Sequence, residues 1–256
     1  MIIDFIRKNF NNHTLIYKSL RKVFRTLLKI YKKLKIMFLN FLLPNKFSIN
    51  LNKGFDQNYF KLHKYHSKKD YILKQIEKTS LRIHRTDNFT WTDENTISKI
   101  SDYLIKLDLK KGICHGVRTG LEVKWFNKNN SFDVIGTDID PLASKNQGII
   151  NWNFEEENKD WIGKFDFVYS NSHDHSSDPM ETLKIWSEQI KPKGVVLLEH
   201  SRSGHGIRSV SNIDCWGIEP ELFPFVLLKS SKADTFVEDI IMIDPVKGRL
   251  IFVIKK

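Results

Sequence analysis

The stretch Lys111–Gly120, KGICHGVRTG, followed by Asp133–Pro141, DVIGTDIDP, decides how this chain is read. A short apolar strand leads into a glycine-bearing turn and a helix, and a second apolar strand ends on Asp138. That is the layout of a nucleotide-type cofactor site. Gly116 and Gly120 let backbone pass close to a ligand, because a residue without Cβ accepts positive φ and leaves room for a neighbouring atom. Asp138, at the carboxyl end of the second strand, is placed to accept hydrogen bonds from ribose hydroxyls. The dinucleotide fingerprint needs G-x-G-x-x-G, whereas this chain has Gly116-x-x-x-Gly120, so NAD fits poorly.

With CHGVRTG at residues 114–120, the chain resembles the class I S-adenosylmethionine-dependent methyltransferases, whose first motif is acidic-x-Gly-x-Gly-x-Gly. Cys114 stands at the acidic position, Gly116 and Gly120 at the first and third glycines, and Arg118 at the second. Three further segments follow in the family's order: GIINWNF (148–154), FDFVYSNSHDHSSDP (165–179) and KPKGVVLLEH (191–200). They match its third, fourth and fifth strands, and Lys191-Pro-Lys-Gly194 resembles the turn that enters the fifth. The resemblance covers residues 90–256. It implies an α/β, Rossmann-like three-layer sandwich with a seven-stranded, mostly parallel sheet whose last strand is antiparallel.

The resemblance also implies S-adenosylmethionine as cofactor and a set of residues to hold it. Asp138 would take the ribose, Ile139 and Phe154 would flank the adenine ring, and Asn153 would lie near the adenine amino group. Arg118 departs from the family's second glycine; its guanidinium either holds the methionine carboxylate by paired hydrogen bonds or stands solvated at the surface. His115, Gly116, Val117, Gly120 and Asn171 complete the expected cofactor set.

Five histidines carry a second signal, because His115, His173, His175, His200 and His205 fall at or just beyond the expected carboxyl ends of strands one, four and five. In an open α/β sheet those ends line the ligand crevice. Imidazole titrates near neutrality and can take a proton from a hydroxyl as a methyl group moves to oxygen. His175 is the first choice for that base, with Asp174 and His173 behind it and Asp174 or Asp178 to orient its ring. An orienting or cofactor-contacting role is the alternative for each histidine. The same side chains match the ligand types of a divalent metal site. Neighbouring side chains in an extended segment point to opposite faces, however, so no metal ligand is assigned.

Charge divides the chain sharply. Residues 1–53 hold twelve Lys or Arg and one acid, whereas the remaining residues hold equal numbers of bases and acids. Within the basic part, Ile16, Leu20, Val23, Leu27, Ile30 and Leu34 recur at helical spacing, with bases filling the other face. Residues 1–53 therefore read as a basic amphipathic helical extension, 54–91 as a connecting or lid segment with a short helix at 71–78, and 92–256 as the methyltransferase domain. Residues 14–43 suit an anionic membrane surface, and packing on the domain or in a homodimer is the competing role. Nucleic acid is disfavoured, because no fold signature for it accompanies the bases. The longest uncharged run here, Ile36–Asn45, is far short of the ~20 residues that cross a bilayer. No small-residue cleavage site follows Leu43.

Two cysteines, Cys114 and Cys215, are too few and too far apart for a disulfide framework, which fits a reducing cytoplasm. Beyond strand five, residues 201–232 read as a substrate-side insertion, and VEDIIMID and RLIFVIKK as a hairpin turning at Asp244–Gly248. The expected activity is methyl transfer, most readily to oxygen, on a small-molecule or glycan-linked acceptor, as in surface polysaccharide biosynthesis, by a cytoplasmic protein at the inner membrane face. Two alternatives stay open. One is a methyltransferase-like scaffold without chemistry. The other is a nucleotide-sugar glycosyltransferase using Asp138-Ile-Asp140 on a metal, although Pro141 and the place after strand two fit ribose binding better.

Overall fold

The structure, a computed structural model, describes residues 60–85, 90–128, 130–230 and 235–255. The readings for residues 1–53 lie outside these. Seven strands form one sheet: β2 (Lys111–His115), β3 (Asp133–Asp138), β4 (Ile149–Asn151), β5 (Phe165–Ser170), β6 (Ile190–Ser201), β8 (Phe236–Asp244) and β9 (Arg249–Lys255). Their order is β4-β3-β2-β5-β6-β9-β8, with β9 antiparallel to both its neighbours and the first five strands parallel. The expected Rossmann-like sheet is present, with its antiparallel strand inserted between β6 and β8.

Strands covered on both faces must be apolar at successive positions, and these are. Along β6, Val196 and Leu198 join one core while Val195 and Leu197 join the other; along β9, Phe252 and Ile254 alternate with Ile251 and Val253 in the same way. One face is covered by α2 (Glu94–Lys106) and α3 (Leu121–Asn127), the other by α4 (Pro179–Gln189) and α6 (Phe223–Ser230). Helix α2 begins at a side-chain cap. The Asp93 carboxylate accepts the Thr96 N–H at 2.8 Å as an N-cap, and Ile97, Ile100 and Leu104 face inward.

Within the segment read as a connection, residues 60–62 and 68–85 form regular structure. Helix α1 (Lys68–Arg85) runs well beyond the expected 71–78. A short strand, β1 (Phe60–Leu62), pairs antiparallel with β7 (Trp216–Ile218) from the region read as a substrate-side insertion. Phe60, Leu62 and Tyr71 are buried in the same core as Trp216 and Phe223. The pairing is long-range and three residues deep, too short to leave a periodic trace. A one-turn helix, α5 (Arg202–His205), follows β6.

The antiparallel strand is tied to the helical layer by ions. Glu199 of β6 is fully buried; its Oε1 accepts from Arg249 Nε and Nη2 at 3.2 and 2.6 Å, and its Oε2 accepts the Tyr169 hydroxyl at 2.8 Å. The same guanidinium donates to Asp93 and Thr96, the N-cap pair of α2, at 3.1 Å each. Removing one partner would leave the other charge buried and uncompensated. Arg249→Met should therefore lower the unfolding free energy by about 3–5 kcal/mol in urea titration, and adding Glu199→Gln should restore part of it. A loss below about 1 kcal/mol would show the pair to be dispensable.

Candidate functional site

Parallel strands that end together put their following turns together, and the cavity lies at the carboxyl ends of β2, β3 and β5. Its volume is about 620 Å³. The turn Gly116–Thr119 with Glu122 forms its floor; Asp138, Ile139, Asn153 and Phe154 form one side, and Asn171, Ser172, Asp174 and His175 the other. Tyr71 and Gln75 of α1, Trp91, Gly204, His205 and Asp214 close it from across.

The floor needs its glycine. Gly116 has φ +75°, and a Cβ there would stand 2.7 Å from Ser172 Cβ. Arg118, at the position of the family's second glycine, also takes positive φ, at 39°. That conformation aims its N–H at Asp138 Oδ2, 2.8 Å away, while Oδ1 accepts the Asp140 N–H at 2.9 Å. Each carboxylate oxygen keeps a second acceptor direction, enough for two vicinal hydroxyls. Burial raises the Asp138 pKa to about 6.

Eight of the ten expected cofactor residues line this cavity; His115 and Gly120 do not. The His115 ring turns into the core. Its Nδ1 pairs with Thr137 Oγ1 at 2.8 Å, its Nε2 with Gln189 Oε1 at 2.9 Å, and it stacks on Trp186. Gly120 instead caps α3 with φ +74°, packed on Ile149. Asp140 is also outside the lining. Its carboxylate accepts the Leu142 N–H and the Ser80 hydroxyl, so it braces a loop and does not stand beside Asp138 as a metal-holding pair.

The segment His173–His175 is one 3₁₀ turn and not the extended run assumed from sequence. Side chains in such a turn fan out about every 120°. Asp174 and His175 reach the cavity wall, and His173 goes into the core. There it stacks with His200 and His205, its Nε2 3.4 Å from His200 Nδ1. Both nitrogens of His205 are engaged: Nδ1 accepts the Ser201 N–H at 3.0 Å, so Nε2 carries the proton and donates to Asn171 O at 3.1 Å. His173, expected behind the base, thus builds the core under the site. Asp178, the other expected orienting acid, is the N-cap of α4, accepting the Glu181 N–H.

His175 is oriented by residues that sequence reasoning missed. Gln75 Nε2 donates to Ile213 O at 2.9 Å, which fixes the amide so that Oε1 faces His175 Nδ1 at 3.0 Å. Nδ1 must therefore be the protonated nitrogen. That leaves Nε2 to accept a proton, and Asp214 Oδ1 stands 3.5 Å from it. A carboxylate at that distance stabilises the imidazolium once formed. Neither Gln75, one polar residue on α1, nor Asp214, inside an aperiodic loop, had a local signal. The thiol of Cys215 donates to His175 O at 2.9 Å, and burial pushes it and the Cys114 thiol well above the usual range. Both are structural thiols.

No family model matches the chain, and no curated protein matches it in sequence. Solved structures do match by fold. The 1,6-didemethyltoxoflavin-N1-methyltransferase of Burkholderia thailandensis, crystallised with 1,6-didemethyltoxoflavin and S-adenosylhomocysteine, superposes with TM-score 0.57 at 14% identity, over 82% of this chain and 99% of that one. A chain from the complex between the Haloferax volcanii Trm112 methyltransferase activator and a methyltransferase gives TM-score 0.51 at 12% identity, over 72% and 96%. The fold is that of the class I S-adenosylmethionine-dependent methyltransferases.

Burial lowers the pKa of His115 and His205 to about 4, and holds His173 and His200 well below the ordinary value. An unfolded chain would protonate these rings below about pH 6.5, whereas the folded chain refuses the protons, so they withdraw stability as pH falls from there towards 4. Glu122 and Asp138, raised to about 7 and 6, have the opposite sign: their stabilising protons are lost as pH rises through that range. Four rings against two carboxyls leave a net loss on acidification. In ¹⁵N-labelled histidine spectra at pH 5.5, four imidazoles should remain neutral; imidazolium shifts for these rings in the folded chain would contradict their burial.

Proposed function

We propose that this chain is an S-adenosylmethionine-dependent methyltransferase acting on a hydroxyl of a small-molecule or glycan-linked acceptor. The observation that carries the reading is one cavity with a hydroxyl-binding carboxylate, Asp138, on its β3 side and an oriented imidazole, His175, on its β5 side. The residues present fit the cofactor. Asp138 retains two acceptor directions, Phe154 and Ile139 offer apolar surface, and Asn153 supplies amide donors and acceptors.

S-adenosylmethionine, when bound, supplies an electrophilic methyl group on a sulfonium sulfur. The chain's work is alignment first, since bringing two reactants into line removes much of the entropic barrier. Gln75 holds the His175 tautomer in which Nε2 is bare, so the acceptor proton passes to that atom, and Asp214 stabilises the resulting cation. Asp174, 4% exposed beside this pair, adds a second acidic side chain facing the acceptor end. Trp91, 44% exposed and edge-on to His205, gives a flat apolar face of the kind on which a sugar ring packs.

Methyl transfer should be assayed against a panel of hydroxylated small molecules and glycans. With the acceptor so found, His175→Ala should lower turnover by about 10²–10⁴. Asp214→Asn should lower it less and move the ascending limb of the pH–rate profile to lower pH by about one unit, because a lost carboxylate no longer favours the imidazolium. An unchanged profile would remove Asp214 from this role, and near-normal turnover in His175→Ala would move the base elsewhere.

The charge asymmetry supports a second element of the reading, attachment of the basic segment 1–53 to an anionic membrane surface. Among the described residues no helix is long and apolar enough to cross a membrane. Deleting residues 1–43 should abolish salt-sensitive sedimentation with anionic vesicles and leave cofactor affinity intact. Vesicles that never bind the intact chain would favour self-packing or a dimer.

A further inference from the structure

Glu122 has no part in the scheme above, yet it stands in the cavity floor. It lies in the first turn of α3 and is 3% exposed. Its Oε1 accepts from Asn171 Nδ2 at 3.2 Å, while Oε2 is buried without a hydrogen-bond partner among the described residues. An unsatisfied buried carboxylate oxygen is costly, so its natural complement is a donor arriving from the cavity. Glu122's own backbone N–H, the Asn171 amide and the field of Arg118 favour the charged carboxylate, and burial outweighs them. Cys114 of β2 and Tyr169 of β5 are buried neutral groups, Glu199 of β6 is a second acid that repels it, and Arg118 is the cation whose field reaches it.

The sheet order adds direction. β3 and β5 flank β2, so Asp138 and Asn171 stand on opposite sides of the Gly116 turn, and Glu122, bonded to Asn171, belongs to the β5 side. A ligand whose ribose rests on Asp138 and whose reactive end faces His175 must cross this turn. Its remaining arm then arrives over Glu122 and Arg118.

We propose that Glu122 is the anchor for the primary ammonium at the amino-acid end of the cofactor, a binding role that the helix supplies where β2 offers only the neutral Cys114 thiol. The assignment rests on the S-adenosylmethionine reading. On this assignment Arg118, whose charge acts on both Glu122 and Asp138, lies nearest the neighbouring carboxylate of the same ligand.

The test uses the intact chain and two ligands, S-adenosylhomocysteine, which carries the ammonium, and 5′-methylthioadenosine, which lacks the whole amino-acid arm but keeps ribose and adenine. Burial raises Glu122 to about 7, so the anion needed for an ammonium is scarce at pH 6 and dominant at pH 7.5. Asp138 titrates under both ligands alike and cancels in their ratio. By calorimetry, the affinity of S-adenosylhomocysteine relative to 5′-methylthioadenosine should rise about five- to tenfold from pH 6 to 7.5. Glu122→Gln should flatten that rise and weaken S-adenosylhomocysteine about tenfold at pH 7.5, with 5′-methylthioadenosine unaffected. A flat ratio in the intact chain, which needs no variant to fold, would overturn the assignment, as would equal weakening of both ligands by Glu122→Gln. Should the intact chain bind neither ligand at any pH, the cofactor reading itself falls and takes this role with it.

Discussion

The Asp138 carboxylate, accepting the backbone N–H groups of Arg118 and Asp140, is the constraint on which the site depends. It joins the end of β3 to the turn after β2, and that turn is further held by Gly116 and Val117 donating to Thr137 O at 2.9 and 3.1 Å. With the turn fixed, Gly116 fits against Ser172 at the end of β5, and α3 starts where Glu122 meets the cavity. Three strand ends are thus locked into one concave surface. Arg118 accepts an unfavourable positive φ within it, a strain that persists because the neighbouring bonds over-determine it.

Two kinds of acid–base environment sit on either side of that surface. Beneath it, His115 and His173 are buried and neutral, and His205 is equally buried in the wall across from it; all three serve as hydrogen-bonding and packing elements. On its wall, His175 is partly exposed, and its two nitrogens are differentiated by Gln75 and Asp214. The contrast is one of solvent access and partners, since all are the same side chain at similar strand ends. Desolvation removes the charged form from the first group, while a carboxylate neighbour favours it in the second.

The sheet was legible because its signals are local. Apolar runs such as VVLLEH and LIFVI, each bounded by turn residues, mark strands buried on both faces, and the Asp244–Gly248 turn marks the hairpin. One side of the cavity was legible for the same reason, since Gly116, Asp138, Asn153 and Phe154 each lie at or just beyond a strand end. Gln75 and the β1–β7 pair were hidden because their meaning arises only from contacts across a hundred residues or more, and Asp214 because it meets His175 from an aperiodic loop 39 residues further on. His115 and His173 misled for a complementary reason. A strand end indicates proximity to the crevice, but the side chain's facing depends on pleat and turn type, and the 3₁₀ turn at His173–His175 was not foreseen.

On the proposed reading this surface holds an S-adenosyl ligand across the β2 turn, ribose on one side and amino-acid arm on the other. A crystal structure of the chain with S-adenosylhomocysteine tests it most directly. Both ribose hydroxyls should lie within about 3 Å of the Asp138 carboxylate, adenine between Ile139 and Phe154, and the sulfur should turn towards His175. Ligand bound elsewhere, or Asp138 left with its two backbone partners alone while the ligand occupies the cavity, would contradict it.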